Sequence, residues 1–196
     1  MTALVESINA ELIAFAPDHI NDPKKAIYRI YRDTRFSSDK TPYKTHIDAI
    51  FPRRGSVSKH AGPGFYFSLS PKEVGIAGGV YMAQPDEVLA IRTWLAENHE
   101  AFREAAKGPE KLVGKLRGSS LQRAPKGFPA DHPAVDLLKM KQWLYYTTID
   151  GKLLATPKLQ GEIVKRFRAM TPVLAMLAEA LSSSRRRSPA AMERLL

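Results

Sequence analysis

Residues 29–46 carry the side chains with the clearest capacity for chemistry. This segment reads RIYRDTRFSSDKTPYKTH and holds five Lys or Arg residues against two acidic residues, Asp33 and Asp39. Arginine presents a planar fork of N–H donors that fits a carboxylate or a phosphate, and lysine adds a compact positive charge. The segment therefore predicts an anion-binding site, and its candidate residues are Arg29, Arg32, Arg35, Lys40 and Lys44.

The same composition has a second interpretation. Asp33 and Asp39 would pair with the neighbouring cations and brace the loop, with no ligand involved. Ion-pair networks and anion sites contain the same residue types, so the sequence leaves both interpretations open.

Lys126 is a further candidate for anion binding. It precedes Gly127, and a glycine lets the backbone approach a ligand closely. The alternative is a rigid turn formed by Pro125 and Gly127, with no role for the lysine side chain.

His46 and Asp48 are weak candidates for catalysis. They lie two positions apart in a predicted strand and so point to the same face, where an aspartate could orient a histidine as a general base. A histidine with a purely structural hydrogen bond is the alternative. The histidines show no metal-binding spacing and the chain has no cysteine, so we predict no metal and no cofactor. The sequence indicates no particular reaction.

Charge and composition define the class of protein that carries these candidates. The chain has 196 residues, of which 44% are hydrophobic and 26% charged, and this is typical of one globular domain. The absence of cysteine excludes disulfides and thiolate nucleophiles. No apolar run approaches the roughly 20 residues that a membrane span needs, and the N-terminus has no basic region of a signal peptide. We expect a cytoplasmic protein without a membrane partner.

The net charge of +10 is concentrated in one part of the chain. Residues 24–60 contain ten Lys or Arg residues against three Asp residues. A focused positive region attracts small anionic ligands and also nucleic acid, whose bases could stack on the neighbouring tyrosines. Three functions follow as alternatives: a domain that binds a phosphate or carboxylate ligand, a nucleic-acid-binding module, and a scaffold in which the charged loop only holds the fold.

The hydrophobic pattern predicts an α+β domain over residues 1–182. Five runs rich in Ile, Val, Phe, Tyr and Thr predict strands at 26–32, 45–51, 64–70, 73–82 and 142–149. The first four follow one another on short connections, which favours an antiparallel sheet. In the third run Phe65 and Phe67 alternate with Tyr66 and Ser68, so one face of the sheet is predicted to be partly polar.

Helical spacing predicts the elements that cover this sheet. Apolar residues recur at steps of three and four in the ranges 2–15, from Pro85 to about Gly108, and from Thr156 onwards. A further helix is predicted to start near Pro133. Pro172 interrupts the last stripe and predicts a kink rather than two helices. Residues 183–196 have no apolar periodicity and are predicted to form a disordered basic tail.

Several motifs resemble an uncharacterised protein family, the domain of unknown function 2461. The resemblance rests on YRIYRDTRFSSDKTPYKTH from Tyr28, GFYFSLSP at 64–71, GGVYM at 78–82, IR at 91–92 and PKGFPADHP at 125–133, and it extends to about residue 180. Members usually begin with a further segment that contains a helix and a Trp-Phe stretch. Either the start of this chain is misassigned or this member is shortened. The resemblance implies no reaction.

Overall fold

A four-stranded sheet carries the long helices of the molecule on one of its faces. The computed structural model describes residues 1–32, 35, 38, 40–56 and 59–187, with side chains as far as residue 184. The strands are β1 (Ile47–Pro52), β2 (Pro63–Leu69), β3 (Glu73–Val80) and β4 (Trp143–Asp150). They lie side by side in the order β1-β2-β3-β4, and all three pairs are antiparallel. The predicted α+β fold with an antiparallel sheet is confirmed.

The helices are placed before, within and after the strand sequence. They are α1 (Thr2–Leu12), α2 (Pro23–Ala26), α3 (Pro85–Val113), α4 (Val135–Lys139) and α5 (Lys158–Arg187), with single 3₁₀ turns at Pro17–His19 and Gly151–Ala155. Both α3 and α4 are inserted in the sequence between β3 and β4, although these strands are neighbours in the sheet. None of the helices in the described part of the chain is long and apolar enough to cross a membrane.

One face of the sheet is buried beneath α3 and α5, and we call it the core face. Alternate strand residues point toward the helices, since side chains on a strand alternate between its two faces. The fully buried members on the strands include Phe51, Phe65, Phe67, Ile76, Trp143 and Tyr145. They join Phe167, Met170 and Leu174 of α5 in one hydrophobic cluster. This burial holds the long helices against the sheet, because each large apolar side chain contributes about 1.5–3 kcal/mol when it leaves water.

The glycines of β3 permit close approach on both sides of the strand. A Cβ atom at Gly78 would lie 2.9 Å from the Met170 side chain on the core face. At Gly79, where φ is +139°, it would lie 2.1 Å from the carbonyl oxygen of Trp143. These close approaches account for glycines in the interior of a strand, where they otherwise weaken it.

The predicted strand at 26–32 is wrong. Asp22 accepts a hydrogen bond of 2.9 Å from the Lys24 N–H, and the chain forms α2 up to Ala26. Beyond it Ile27 makes a single bridge to Ala49 of β1, and Tyr31 a single bridge to Tyr43. The following residues leave the sheet edge with Ile30 and Tyr31 exposed, so no buried face holds them in a regular strand.

Three helix boundaries also differ from those predicted. The first helix ends at Leu12 rather than at residue 15, and α3 continues past Gly108 to Val113. Pro109 removes one backbone hydrogen bond there, but Pro109 and Val113 are both buried, and their packing supports the last turn. The third, α5, is one helix through Pro172 rather than two, as predicted, and extends to Arg187. Residues 183–187, which were predicted to begin the disordered tail, are therefore part of α5. The rest of the predicted tail lies outside the described residues. The kink at Pro172 stays a prediction.

Candidate functional site

The face of the sheet turned away from α3 and α5 carries polar residues, and we call it the open face. Strand alternation places Tyr66 on this face, between the buried Phe65 and Phe67. Its neighbours across the sheet are Ile50 on β1 and Ala77 on β3, and Tyr146 on β4 follows Ala77 in the same row. The predicted partly polar face is therefore observed.

A concave cavity of about 390 Å³ lies on the open face. Small residues of the central strands, Gly64, Ala77 and Gly79, form part of its lining, and the rings of Tyr66 and Tyr146 also contribute. Because the small residues leave space between two large rings, the sheet itself forms a hollow here. Lysines from the adjoining segments also line this hollow, and we therefore call it the cationic cavity.

An ion pair between Lys44 and Asp48 lies in the cationic cavity. The Nζ atom of Lys44 donates to both carboxylate oxygens of Asp48, at 3.0 and 3.4 Å. The Tyr66 hydroxyl donates to the same carboxylate at 3.5 Å. The Asp48 side chain is only 9% exposed and that of Lys44 is 23% exposed. Asp48 is thus a buried carboxylate whose charge is balanced by one lysine.

Tyr28 brings two ammonium groups together at the cavity. The Nζ atoms of Lys44 and Lys59 lie 5.1 and 5.3 Å from the centroid of its ring, which is within range of a cation–π attraction. The ring of His60 stacks on Tyr28 with 5.8 Å between centroids, and the Tyr28 hydroxyl lies 3.3 Å from His60 Nε2. Lys59 also donates from Nζ to the backbone carbonyl of Lys25.

The hydroxyls of Tyr28 and Tyr66 stay protonated at neutral pH. Burial raises the pKa of Tyr28 to about 12, and the negative charge of Asp48 adds to the effect. Burial and Asp48 likewise raise the pKa of Tyr66 to about 12. Both phenols are therefore hydrogen-bond donors at neutral pH.

The predicted anion-binding residues separate into two groups. Lys44 lines the cationic cavity, whereas Arg29, Arg32, Arg35 and Lys40 are not among the described residues that line it. Arg29 is exposed, and Arg32 donates from Nη1 to Thr41 Oγ1 at 2.7 Å. Lys126 is exposed in the connection between α3 and α4. The alternative pairing with Asp33 and Asp39 lies outside the described residues.

The structure does not join His46 to Asp48. The carboxylate of Asp48 is directed to Lys44 and Tyr66, and no hydrogen bond links it to His46 within the described part of the chain. His46 is half-buried and lines a different hollow of the open face. In the described residues, no group of three or more His, Cys, Asp and Glu side chains forms a metal-binding cluster.

Sequence reasoning missed several residues of the cavity. Lys59 and His60 reach it from the connection between β1 and β2, and Tyr81 from the end of β3. One available signal was the strand period: Gly64 and Tyr66 share a face, as do Gly75, Ala77 and Gly79. A strand with small residues at three successive positions on its solvent side, next to a strand with a tyrosine, indicates a hollow.

The protein is an α+β domain with a hollow on the open face of its sheet. Comparison with known proteins identifies the family to which it belongs. The family described as conserved hypothetical protein (DUF2461) matches residues 1–176. The chain belongs to this family, in agreement with the resemblance of its motifs. No curated protein matches the chain. No solved structure matches it either.

Proposed function

We propose that the protein binds a small anionic ligand, bearing a phosphate or a carboxylate, in the cationic cavity. The observation that carries this proposal is the convergence of Lys44 and Lys59 on the ring of Tyr28 at a concave site. Asp48 balances the charge of Lys44, whereas Lys59 has no ion pair with an acidic side chain among the described residues. The ammonium group of Lys59 is therefore the main positive charge left for a ligand.

The shape of the site favours a small ligand over nucleic acid. A hollow of about 390 Å³ falls within the range of small-molecule sites, about 300–1,000 Å³. A nucleic-acid strand needs a track of cations beside stacking rings, and the strength of its binding falls steeply with salt because each phosphate contact releases a counterion. Nucleic-acid binding is therefore the competing outcome of the test.

The lining of the cavity also indicates what accompanies the anionic group. Apolar surface from Ile50, Ala77 and Leu144 lies beside the phenol donors of Tyr28 and Tyr66. A ligand with a compact body and one anionic end would cover the apolar surface and satisfy the donors. In this proposal Arg29, Arg32, Arg35 and Lys40 stand outside the cavity and raise the positive potential around it, which speeds the arrival of an anion. The role of Lys126 stays a prediction.

Titration calorimetry with phenyl phosphate, benzoate and a single-stranded oligonucleotide tests the proposal. We expect at least one of the two small anions to bind, and Lys59→Ala to weaken that binding about tenfold, since a hydrogen bond to a charged group contributes about 1.5–3 kcal/mol. Lys165→Ala is the matched control. It removes the same charge from an exposed position of α5, the helix on the other side of the sheet.

Two results would overturn this function. The first is equal loss of affinity in the Lys59→Ala and Lys165→Ala variants, which would mean that only net charge matters. The second is tight oligonucleotide binding that weakens steeply between low and physiological salt while neither small anion binds.

A further inference from the structure

A second hollow lies beside the cationic cavity on the open face. It measures about 310 Å³ and shares Tyr66 and Tyr146 with the first. Its other lining residues include Thr45, Ser68 and Glu73, and also His46. Because most of these side chains carry a hydroxyl group, we call it the hydroxyl cavity.

The two cavities are adjacent because of the sheet register. Tyr66 and Tyr146 both stand opposite Ala77, one on each neighbouring strand. In the next row Ser68 and Thr148 both stand opposite Gly75. Asp48, the ion-pair partner of Lys44, stands opposite Ser68 in this same row. The two cavities therefore meet along the tyrosine row and Asp48, with Lys44 and Lys59 lining the first and Ser68 and Glu73 lining the second.

Gly75 lets hydroxyl groups converge in the hydroxyl cavity. A Cβ atom at this position would lie 2.6 Å from Ser68 Oγ and 3.0 Å from the Tyr146 hydroxyl. The backbone of Gly75 is not in the left-handed region, so its conformation does not require a glycine. The missing side chain instead leaves room for two hydroxyl groups above the strand.

The chemistry of the hydroxyl cavity fits a ligand with several hydroxyl groups. Ser68 and Thr45 can donate and accept hydrogen bonds, and the Glu73 carboxylate accepts them. Burial and the charge of Glu73 raise the pKa of Tyr146, so its hydroxyl remains a donor. The negative charge of Glu73 also disfavours an anionic group at this end, whereas the lysines favour one at the other end.

We propose, on the basis of the function proposed above, that the ligand is a polyhydroxylated anion of the sugar phosphate or sugar acid class. Its anionic group lies in the cationic cavity, its hydroxyl groups lie in the hydroxyl cavity, and its carbon skeleton passes between Tyr66 and Tyr146. The opposite charges of the two cavities fix the direction in which the ligand lies.

Calorimetry with ribose 5-phosphate, glucose 6-phosphate and glucuronate, compared with phenyl phosphate, tests this inference. We expect at least one sugar anion to bind more tightly than phenyl phosphate. Ser68→Ala should weaken the binding of that sugar anion about tenfold, the effect of one lost hydrogen bond. Gly75→Ala should also weaken it, because the added Cβ displaces Ser68 Oγ. Neither change should alter the binding of phenyl phosphate. Thr148→Ala is the control, because it removes a hydroxyl group of the open face outside both cavities.

The possible results separate the two proposals. The ligand class is overturned if the sugar anions bind no more tightly than phenyl phosphate. It is also overturned if Ser68→Ala and Gly75→Ala leave the affinity for the sugar anions unchanged. In both cases the anion-binding function still stands. Failure of every sugar anion, phenyl phosphate and benzoate to bind would overturn both. The melting temperature of the Ser68→Ala variant serves as the folding control. If it is close to that of the wild type, a loss of affinity does not come from unfolding.

Discussion

The core face and the open face of the sheet are made by the same strands but contain different chemistry. On β2 the residues facing the helices are Phe65 and Phe67, which are fully buried, and those facing away are Tyr66 and Ser68. Phe65 stacks on Phe167 of α5 with 4.6 Å between ring centroids. Adjacent residues of one strand therefore differ in what they contact: one face packs against the helices, and the other lines the two cavities with polar groups.

Aromatic residues show the difference between the faces most clearly. Phe51 and Phe167 meet edge to face on the core side, with 5.7 Å between ring centroids. The rings of the cationic cavity belong to tyrosines, whose hydroxyls are directed to Asp48 and His60. Because a buried hydroxyl without a partner costs free energy, phenylalanine suits the packed side and tyrosine suits the side with polar neighbours. Tyr145 is an exception, since it is fully buried on the core face and its hydroxyl has no hydrogen-bond partner among the described residues.

The largest expected effect comes from the core face. Phe67→Ala should lower the free energy of unfolding by about 3–5 kcal/mol, because it removes a fully buried ring and leaves a cavity. Tyr66→Phe, one residue away, should cost less than about 1 kcal/mol, since only a long hydrogen bond of 3.5 Å is lost. Urea unfolding of both variants measures this difference. Similar losses of unfolding free energy in the two variants would contradict the contrast between the faces.

An intermediate effect is expected where the open face contributes to stability. Lys44→Met should cost roughly 1–3 kcal/mol, because the nearly buried Asp48 carboxylate loses its ion pair and keeps, among the described side chains, its bond to Tyr66. In the double variant with Asp48→Asn the loss should be smaller than the sum of the single losses, by about 0.5–2 kcal/mol. A double-mutant cycle in urea gives this coupling directly. Strict additivity would mean that the pair contributes no stability.

The smallest expected effect is a pH dependence that arises from neither cavity. Burial lowers the pKa of His19, whose Nδ1–H donates to the Phe51 carbonyl at 3.0 Å. The unfolded chain therefore binds a proton at this histidine near pH 6.5 while the folded chain does not, so stability is full above that pH and falls as the pH decreases. We expect a loss of roughly 1 kcal/mol between pH 7 and pH 5.

The control for this pH effect is a His19→Gln variant, which should lose less stability over the same interval. The hydrogen bond from Arg166 holds the pKa of Glu162 below its usual range, so that pair is lost only at lower pH. Equal slopes in the wild type and the His19→Gln variant between pH 7 and pH 5 would assign the effect to another group.

The sequence predicted the parts of the fold that depend on regular alternation. The run from Phe65 to Ser70 identified both faces of β2, because a residue on a strand has only two directions available. The long stripe around Phe167 identified α5 in the same way, and the burial of that stripe keeps the helix continuous at Pro172. In both cases the local pattern and the tertiary packing agree.

The parts that were mispredicted or missed depend on contacts distant in the sequence. The run 26–32 has strand-forming residues, but only Ile27 and Tyr28 find partners on β1, so the local propensity is not realised. The pairing of Lys44 with Asp48 and the approach of Lys59 to Tyr28 are set by how two connections fold over the sheet. No periodicity in the sequence records such an arrangement.

The insertion of α3 and α4 between two neighbouring strands also orders the steps of folding. Only 10 residues separate β1 from β2 and 3 separate β2 from β3, whereas 62 separate β3 from β4. Closing the longest of these loops costs about 1.6 kcal/mol more chain entropy than closing the 10-residue one, so β4 should join a preformed three-stranded unit late. Since β4 supplies Leu144 and Tyr146, the open face acquires its last wall only at that step. Ligand binding during refolding would then report the slowest strand pairing of the molecule.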